Sequence, residues 1–313
     1  MEFQRYSSIP MNDLKDLITV IYVLTDDLYQ ECVPESIKHR LHKEKAKLSD
    51  SEIITIALAG EVMSIDSENA WVPFVQKNMK DLFPCMCERS RFNRLRRNLW
   101  AVIRQIRIKL GEELGFTKDD MRIADSFPLE VCEFGRAHFC HTFRGEGADY
   151  GYCASKKKTF FGFRVHVLCT INGYITDFLL APASADDRTA VFELVEEYDR
   201  NLRLIGDKGY VGFQFAQELW AEKGMIMIAL KRNNAKDPDP KPFRQMVFKV
   251  RRRIETCFSQ LAGQFNAESV LAKTLWGLLT RLQSKFFAFD MCFAINCLLG
   301  RFDSFAQIKN LAF

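Results

Sequence analysis

The sequence contains no long apolar run. Of its 313 residues, 48% are hydrophobic and 27% are charged, the balance of a globular protein, which excludes wholesale disorder. A membrane-spanning helix needs about 18 consecutive apolar residues, and the best segment, 286–299, is interrupted by Asp290 and Asn296. The N-terminal residues are acidic and polar, so they predict no secretion signal. We therefore expect a cytoplasmic protein, long enough for one large domain or two ordinary ones.

The ten cysteines show no paired spacing. A zinc ribbon or finger uses pairs of ligands that are separated by about two residues. The nearest approaches are Cys85 with Cys87, and His138 with Cys140 and His141, and neither has this pattern. Because no secretion signal is predicted, we expect the cysteines to be reduced thiols with no structural zinc.

Acidic residues are absent from 89–109, where eight basic residues lie. The formal net charge is only +4, so the distribution of charge is more informative than its total. Nine basic residues lie in 231–253 against two aspartates, and 156–158 is a third basic patch. One such patch can be a solvated helix face, but three together predict a polyanionic partner, most economically nucleic acid. The residues expected to contact DNA are Arg91, Arg94, Arg97, Lys156, Lys157, Lys158, Arg251 and Arg252.

The hydrophobic pattern changes near residue 118. Before this position apolar residues recur at helical spacing, and Ser49 with Glu52 has the pattern of a capping box. One long helix is expected from Ser90 to Leu110, with an apolar stripe and arginines on its other faces. The pattern predicts an all-helical DNA-binding domain over 1–118, followed by a mixed α/β domain over 119–313.

The second domain begins with strand patterns. Phe160–Thr170 is rich in aromatic and β-branched residues, and Asn172-Gly173 after it is the strongest short hairpin signal, with Tyr174–Leu180 as the returning strand. The sequence shows no internal repeat and no low-complexity tract. Further strands are predicted over 121–125, 202–205 and 225–230, and helices over 187–198, 211–223, 243–265 and 275–299.

Three acidic residues stand out by their positions. Asp125 and Asp207 each follow a short apolar strand, which brings a carboxylate to the rim of a sheet, where α/β folds bind ligands. Glu255 follows three arginines on a predicted helix. Taken singly, each has a structural alternative: the aspartates can form turns, and Glu255 can pair with Arg251 one turn earlier.

Taken together, the three acids predict a metal site. Mg²⁺ and Mn²⁺ prefer carboxylate oxygens, and three carboxylates from distant segments can hold two such ions about 4 Å apart. Two ions in this arrangement stabilise the attacking and the leaving oxygen of an in-line displacement at phosphorus. The basic patches would then hold a long phosphate backbone.

Four motifs extend the argument to a known family. They are Ile123-Ala-Asp125-Ser-Phe-Pro-Leu129, Phe161-Gly-Phe-Arg-Val-His166, Leu204-Ile-Gly-Asp207-Lys-Gly-Tyr210 and Arg253-Ile-Glu255-Thr-Cys-Phe258. In order and separation, the acids resemble the Asp, Asp, Glu triad of the DDE transposases of bacterial insertion sequences, most closely the insertion sequence 982 family. The resemblance covers nearly the whole chain.

This resemblance implies a fold, an activity and a set of partners. The fold is an RNase H-like, retroviral-integrase-like catalytic core over 119–313. The activity is cutting and joining of DNA ends, with Asp125, Asp207 and Glu255 as catalytic residues and as ligands of two Mg²⁺ or Mn²⁺ ions. The partners are the element's terminal inverted repeats and target DNA, in a nucleoid-associated setting.

Parts of the family pattern are missing. Related families carry a Lys where this chain has Ala262, and a His where it has Asp186 before Asp187. We therefore assign no catalytic role to Asp186 and Asp187, and expect Asp187 to cap the following helix. His166 is expected to be a packed or hydrogen-bonded strand histidine, because its neighbours are apolar.

Three other functions and one oligomeric state also follow from these features. The alternatives are a DNA endonuclease that no longer transposes, a DNA-binding regulator with an inactive core, and a small-molecule phosphatase. A transposase must bring two element ends together, so we expect at least a twofold dimer on DNA. The apolar segment 286–299 is one candidate surface, and the alternative is that it is internal core, as for a helix that is apolar all round.

Overall fold

The computed structural model describes residues 13–41, 45–154, 156–198, 201–231 and 235–301. The chain divides into two compact units. The helical unit comprises Met1–Leu114 and Gly263–Phe313, and the mixed unit comprises Gly115–Ala262. None of the helices in the described ranges has the length and apolar character that crossing a membrane requires.

In the helical unit, all regular elements within the described ranges are helices. The capping box is confirmed, since Ser49 Oγ accepts the Glu52 N–H and the Glu52 side chain accepts the Ser49 N–H. The single helix expected over 90–110 is instead two helices, because Leu99 departs from helical geometry between them. The helices are α1 Leu14–Cys32, α2 Glu35–Lys38, α3 Asp50–Val62, α4 Glu68–Asn78, α5 Arg89–Asn98, α6 Trp100–Glu113 and α10 Leu275–Leu298.

Helix α10 is the core of the helical unit. Residues 286–295 are at most 1% exposed, and the helix packs against α3 and α6. Lys285, also buried, donates to Glu61, Asp66 and the carbonyl of Phe265. The proposed dimer surface at 286–299 is therefore largely internal, because a helix that is apolar all round must be covered by its own unit. By its contacts, 263–313 belongs to the same compact unit as the N-terminal helices, whereas the sequence pattern assigned 119–313 to one domain.

The mixed unit is built on one sheet with helices on both faces. The strands are β1 Met121–Glu133, β2 Asp149–Cys153, β3 Lys158–Thr170, β4 Ile175–Pro182, β5 Arg203–Gly206 and β6 Ile226–Ala229, and the helices are α7 Asp187–Leu194, α8 Phe213–Lys223 and α9 Lys241–Phe265. The strand order is β2-β3-β1-β5-β6, and β4 also pairs with β3. β1, β2, β3 and β4 pair antiparallel, whereas β5 runs parallel to β1 and β6.

The predicted β3–β4 hairpin is confirmed. The Gly173 N–H donates to the Thr170 carbonyl, and the Thr170 N–H donates to the Tyr174 carbonyl, which closes the turn. Gly173 has φ +95°, a conformation that only glycine adopts without strain. The Asn-Gly pair therefore sets the register in which Val167 lies opposite Phe178.

Strand β1 is longer than the sequence pattern predicted. The prediction ended at Asp125, whereas the strand continues to Glu133. Beyond Ile123, β1 pairs with β3 but no longer with β5. A proline is tolerated in such a one-sided stretch, because the amide hydrogen that Pro128 lacks is not required by a second neighbour.

Alternation along the strands directs side chains to two different helical layers. Ala124 and Leu204 pack with Val191 of α7 and Leu219 of α8. The neighbouring residues Ile123 and Ile205 face the opposite layer, where they meet α9 through Ile254 and Val247. Every second residue of β1 and β5 therefore faces α9. In β1 this alternation directs Asp125, two residues after Ile123, to the α9 side.

Candidate catalytic carboxylate site

Asp125 and Asp207 follow paired positions of neighbouring strands. In the parallel β1–β5 pair, Ile123 is opposite Ile205; Asp125 is two residues further along β1, and Asp207 is the first residue after β5. Because side chains at i and i+2 share a face, Asp125 is on the face that α9 covers, and Arg251 of α9 reaches it. Asp207 remains extended, with φ −79° and ψ −173°. The charge of Asp207 acts on Asp125, and a metal site shared by the two acids stays a prediction.

Asp125 has one cationic neighbour and several acidic ones. Its Oδ1 accepts the Ser126 N–H at 2.8 Å, and its Oδ2 is 3.4 Å from Arg251 Nη2. Burial raises the pKa of Asp125 to about 6, with further increases from Asp207 and Asp187, against the lowering effects of the Ser126 N–H and Arg251. Asp125 is therefore a buried carboxylate with two acidic neighbours, and Arg251 and the Ser126 N–H only partly offset their effect.

Asp187 is the acidic residue that sequence reasoning set aside. It does not cap α7 as expected, because Asp186 is the N-cap and its side chain accepts the Arg188 N–H. Asp187 Oδ1 instead accepts the Ser126 hydroxyl at 3.0 Å, and Arg164 Nη1 lies 3.4 Å from the same carboxylate. The only sequence signal was the doubled aspartate at a helix start, which does not tell which of the two caps.

In the loop after β5, the carboxylates of Asp207 and Asp187 both lie near Gly209. Asp207 Oδ1 accepts the Gly209 N–H at 2.7 Å. A Cβ on Gly209 would lie 2.8 Å from Asp207 Oδ1 and 3.6 Å from Asp187 Oδ2, so a larger residue would crowd the first carboxylate. The adjacent Tyr210 is buried. Its pKa is raised well above the ordinary value by that burial, and then by Asp187, Asp125 and Asp207.

His166 lies beside the acids as an uncharged ring. Its side chain is fully buried, and Nδ1 is 3.5 Å from Asp187 Oδ1. Burial lowers the pKa of His166 to about 4, and Arg164 contributes to the lowering while Asp187 opposes it. Within the described residues neither ring nitrogen makes a hydrogen bond. The residue is packed, as expected, and carries no positive charge at neutral pH.

Glu255 lies on α9 and is exposed. The helix lies across the same face of the sheet as Asp125, since Arg251 reaches Asp125 and the Phe258 ring meets the Phe127 ring at 5.1 Å. Glu255 lies between these two contacts in sequence, one turn after Arg251. In the described part of the chain it forms no ion pair with Arg251 or hydrogen bond to either aspartate, so its convergence with Asp125 and Asp207 stays a prediction.

The donor chemistry of this cluster suits a hard divalent cation. Carboxylate oxygens are the preferred ligands of Mg²⁺ and Mn²⁺, and the pKa of Asp125 is raised first by burial and then by the neighbouring Asp207 and Asp187. Over the described ranges, however, no three His, Cys, Asp or Glu side chains are grouped closely enough to hold a metal ion, so Asp125, Asp207 and Glu255 do not form a complete metal site in this structure. All ten cysteines are free thiols, four of them buried.

The predicted DNA-contacting residues occupy several surfaces. In the helical unit Arg91 and Arg94 are exposed, and the Arg97 guanidinium lies 5.6 Å from the centre of the Trp276 ring. Two other basic residues of 89–109 are not available to DNA, since Arg96 and Arg107 are buried. Arg96 lies 2.7 Å from Glu68 and Arg107 lies 3.6 Å from Asp290.

The remaining predicted contacts lie in the mixed unit. Lys156, Lys157 and Lys158 are exposed between β2 and β3, and Lys158 pairs with Glu130 at 2.9 Å. Arg252 is exposed, whereas the half-buried Arg251 faces Asp125. Arg251 is therefore part of the carboxylate site itself, a position that its place in a basic run did not indicate.

One family of known proteins matches the chain. The sequence model of the transposase DDE domain matches residues 116–270, about half of the chain. No curated protein and no solved structure matches. The matched residues contain the whole mixed unit apart from Gly115, including Asp125, Asp207 and Glu255. The match supports a DDE transposase, a family that generally uses divalent metals and has an RNase H-like fold.

We predict that Asp125→Asn stabilises the fold at alkaline pH. The folded-state pKa of Asp125, about 6, exceeds its ordinary value of about 3.9, so its ionisation opposes folding as the pH rises through this interval. With divalent metals chelated, the variant should exceed the wild type by about 1–3 kcal/mol at pH 8, and the gain should vanish near pH 4. Urea unfolding followed by circular dichroism measures both values.

The matched control is Glu255→Gln, which changes an exposed carboxylate on the neighbouring helix. Its effect on stability should stay within about 0.5 kcal/mol at both pH values. An Asp125→Asn variant that is no more stable than the wild type at pH 8 would contradict the electrostatic description of the site.

Proposed function

We propose that the protein is the transposase of a bacterial insertion sequence of the 982 family, which cuts and joins DNA ends by metal-dependent phosphoryl transfer. The observation that carries the proposal is the contact of Asp125 with Arg251 on the helix that bears Glu255, together with the charge of Asp207 acting on Asp125. The three acids follow the family order in a region that matches the transposase DDE domain.

Asp125, Asp207 and Glu255 are proposed to hold two Mg²⁺ or Mn²⁺ ions. When bound, such ions stabilise the attacking and the leaving oxygen of a displacement at phosphorus. Arg251 now neutralises part of the Asp125 charge at 3.4 Å. We propose that in the DNA complex this guanidinium turns to a phosphate oxygen, because arginine binds carboxylate and phosphate with the same donor geometry.

Asp187 is proposed as a positioning residue for Asp125. It accepts the Ser126 hydroxyl, and Ser126 donates its N–H to Asp125. Arg164, which neighbours Asp187, keeps a cation next to this second carboxylate. Loss of Asp187 should therefore leave Ser126 without an acceptor and Arg164 without a counter-charge, which weakens the support of Asp125.

The helical unit is proposed to bind the element ends. Arg91 and Arg94 are exposed on α5, at the positions where a helix with an apolar stripe can lie along DNA. Two ends must meet before joining, so we propose a dimer on DNA. Its interface lies outside 286–295, which is buried.

The alternatives have less support. A DNA-binding regulator gains nothing from acids near phosphates, and the like-charge cluster around Asp125 costs stability. A small-molecule phosphatase has no use for the exposed arginines of α5. An endonuclease without strand joining shares the whole site, so joining activity is what separates it from a transposase.

We predict that Asp125→Asn, Asp207→Asn and Glu255→Gln each abolish Mg²⁺-dependent cleavage of DNA that carries the element end, while end binding changes less than about threefold. Losing a ligand of a two-ion site removes most of the charge stabilisation of the transition state. Gel assays of cleavage and of binding on the same end fragment measure the two effects. The control is Glu218→Gln, which changes an exposed carboxylate on α8. Full cleavage by any of the three variants would remove that residue from the site.

We predict that Arg91→Ala and Arg94→Ala weaken binding of the end fragment and flatten its salt dependence. Each neutralised phosphate contributes about 0.9 to the slope of log affinity against log salt, so each variant should lose about one such contact. Lys77→Ala, an exposed cation at the end of α4, is the control. If both slopes stay at the wild-type value, α5 does not contact the phosphate backbone.

A further inference from the structure

The segment between β1 and β3 exposes four aromatic side chains that the catalytic site does not use. Phe134 is 52% exposed, Phe139 78%, Tyr150 42% and Tyr152 57%. Large aromatic residues bury much of their surface in most folds, so four exposed rings within one short segment need an explanation. We call these four residues the aromatic platform.

The platform rests on the edge of the sheet. β2 pairs along β3 residues 158–162, whereas β4 pairs with β3 from 163 onwards, so β2 has β3 as its one described neighbour. Tyr150 and Tyr152 are two residues apart on this strand and share a face. The Tyr150 ring meets the Phe134 ring at 5.7 Å and the buried Phe161 ring at 5.2 Å, both edge-on. These contacts hold Tyr150 in place without covering it.

Basic residues outnumber acidic ones in the segment that carries the platform. Residues 134–158 contain five lysines and arginines against two acids, Glu146 and Asp149. Asp149 is already engaged, because it accepts the Ser184 hydroxyl and the Tyr150 N–H. Arg144 lies over the Phe161 ring, 5.9 Å from its centre. Aromatic faces combined with excess positive charge fit a polyanion that has flat groups to stack.

One arginine connects the platform to the catalytic carboxylates. Arg164 Nη2 donates to the Tyr152 carbonyl at 3.2 Å, while its Nη1 lies 3.4 Å from Asp187. Asp187 in turn shares Ser126 with Asp125. A DNA strand bound at the carboxylate site would therefore lie only a few side chains away from Tyr152.

We propose that the aromatic platform stacks the unpaired bases of a DNA strand next to the cleavage site. Duplex bases are already stacked on each other and do not expose their faces, whereas a single strand can stack on tyrosine and phenylalanine for about 1–3 kcal/mol per base. The proposal rests on the proposed function, since it names the form of DNA that the same site takes: an end that is opened where it is cut.

A second copy of the chain is the competing occupant. β3 is the one strand paired with β2 in the described ranges, and exposed strand edges can pair with another chain. Lys156 and Lys157, which follow β2 and are exposed, oppose such pairing, because like charges from two copies would meet. Excess positive charge favours DNA over a second copy, and the experiment below separates the two.

The test measures binding of the full chain to a fluorescent 12-nucleotide oligothymidylate and to a 12-base-pair duplex, by anisotropy in chelator at fixed salt. Tyr150→Ala and Tyr152→Ala should each weaken single-strand binding by about 5- to 150-fold, the equivalent of 1–3 kcal/mol, and duplex binding by less than twofold. Tyr152→Phe should restore the wild-type value, because stacking needs the ring and not the hydroxyl.

The matched control is Phe213→Ala, which removes an aromatic side chain that is 80% exposed on α8 of the same unit. It should leave single-strand binding unchanged. Equal losses for Phe213→Ala and the tyrosine variants, or a loss below twofold for both tyrosines, would overturn the proposal. So would light scattering that shows a wild-type dimer which Tyr152→Ala converts to a monomer, since the edge would then be a protein interface.

The outcomes also separate this proposal from the proposed function. If the protein never cleaves DNA but binds single strands through the two tyrosines, the stacking proposal is supported and the proposed transposase function is refuted. If both tyrosine variants keep full metal-dependent cleavage and joining, and their single-strand binding is unchanged, the transposase function is supported and the stacking proposal is refuted.

Discussion

The parallel pairing of β1 with β5 is the constraint on which the candidate site depends. It brings Ile123 opposite Ile205, and both residues pack beneath α9. Two residues later the same alternation directs Asp125 to the α9 face, where Arg251 reaches it, and Asp207 follows the end of β5. A shift of one residue in this register would turn one aspartate to the opposite layer, so the buried isoleucines determine where the acids lie.

The position of the carboxylates has an electrostatic cost. Burial and the neighbouring Asp207 and Asp187 raise the pKa of Asp125 to about 6, and only Arg251 and the Ser126 N–H oppose this. Perturbed pKa values of this kind are typical of functional sites, where charged groups lower the folding stability of the protein. Bound cations would relieve this electrostatic cost, so the same charges that destabilise the free protein would favour metal and phosphate chemistry.

Sequence patterns predicted the local elements and missed the long-range ones. The β3–β4 hairpin could be predicted because Asn172-Gly173 determines its turn locally, and the short strand before Asp207 because it is a bounded apolar run. Strand β2 was missed because Gly151 and two exposed tyrosines do not read as a strand until β3 pairs with them. The burial of α10 depends on helices that are far away in the sequence. Within the site, two adjacent aspartates could each cap α7, and only the fold shows that Asp187 turns to Ser126.

The most direct measurement is the position of Mn²⁺, from anomalous scattering, in crystals of the full chain with an end fragment of DNA. The account predicts manganese bound about 2 Å from carboxylate oxygens of both Asp125 and Asp207, with Glu255 brought to the same ions. Manganese bound elsewhere, or an ordered Glu255 carboxylate more than about 10 Å from both aspartates, would contradict a shared two-ion site.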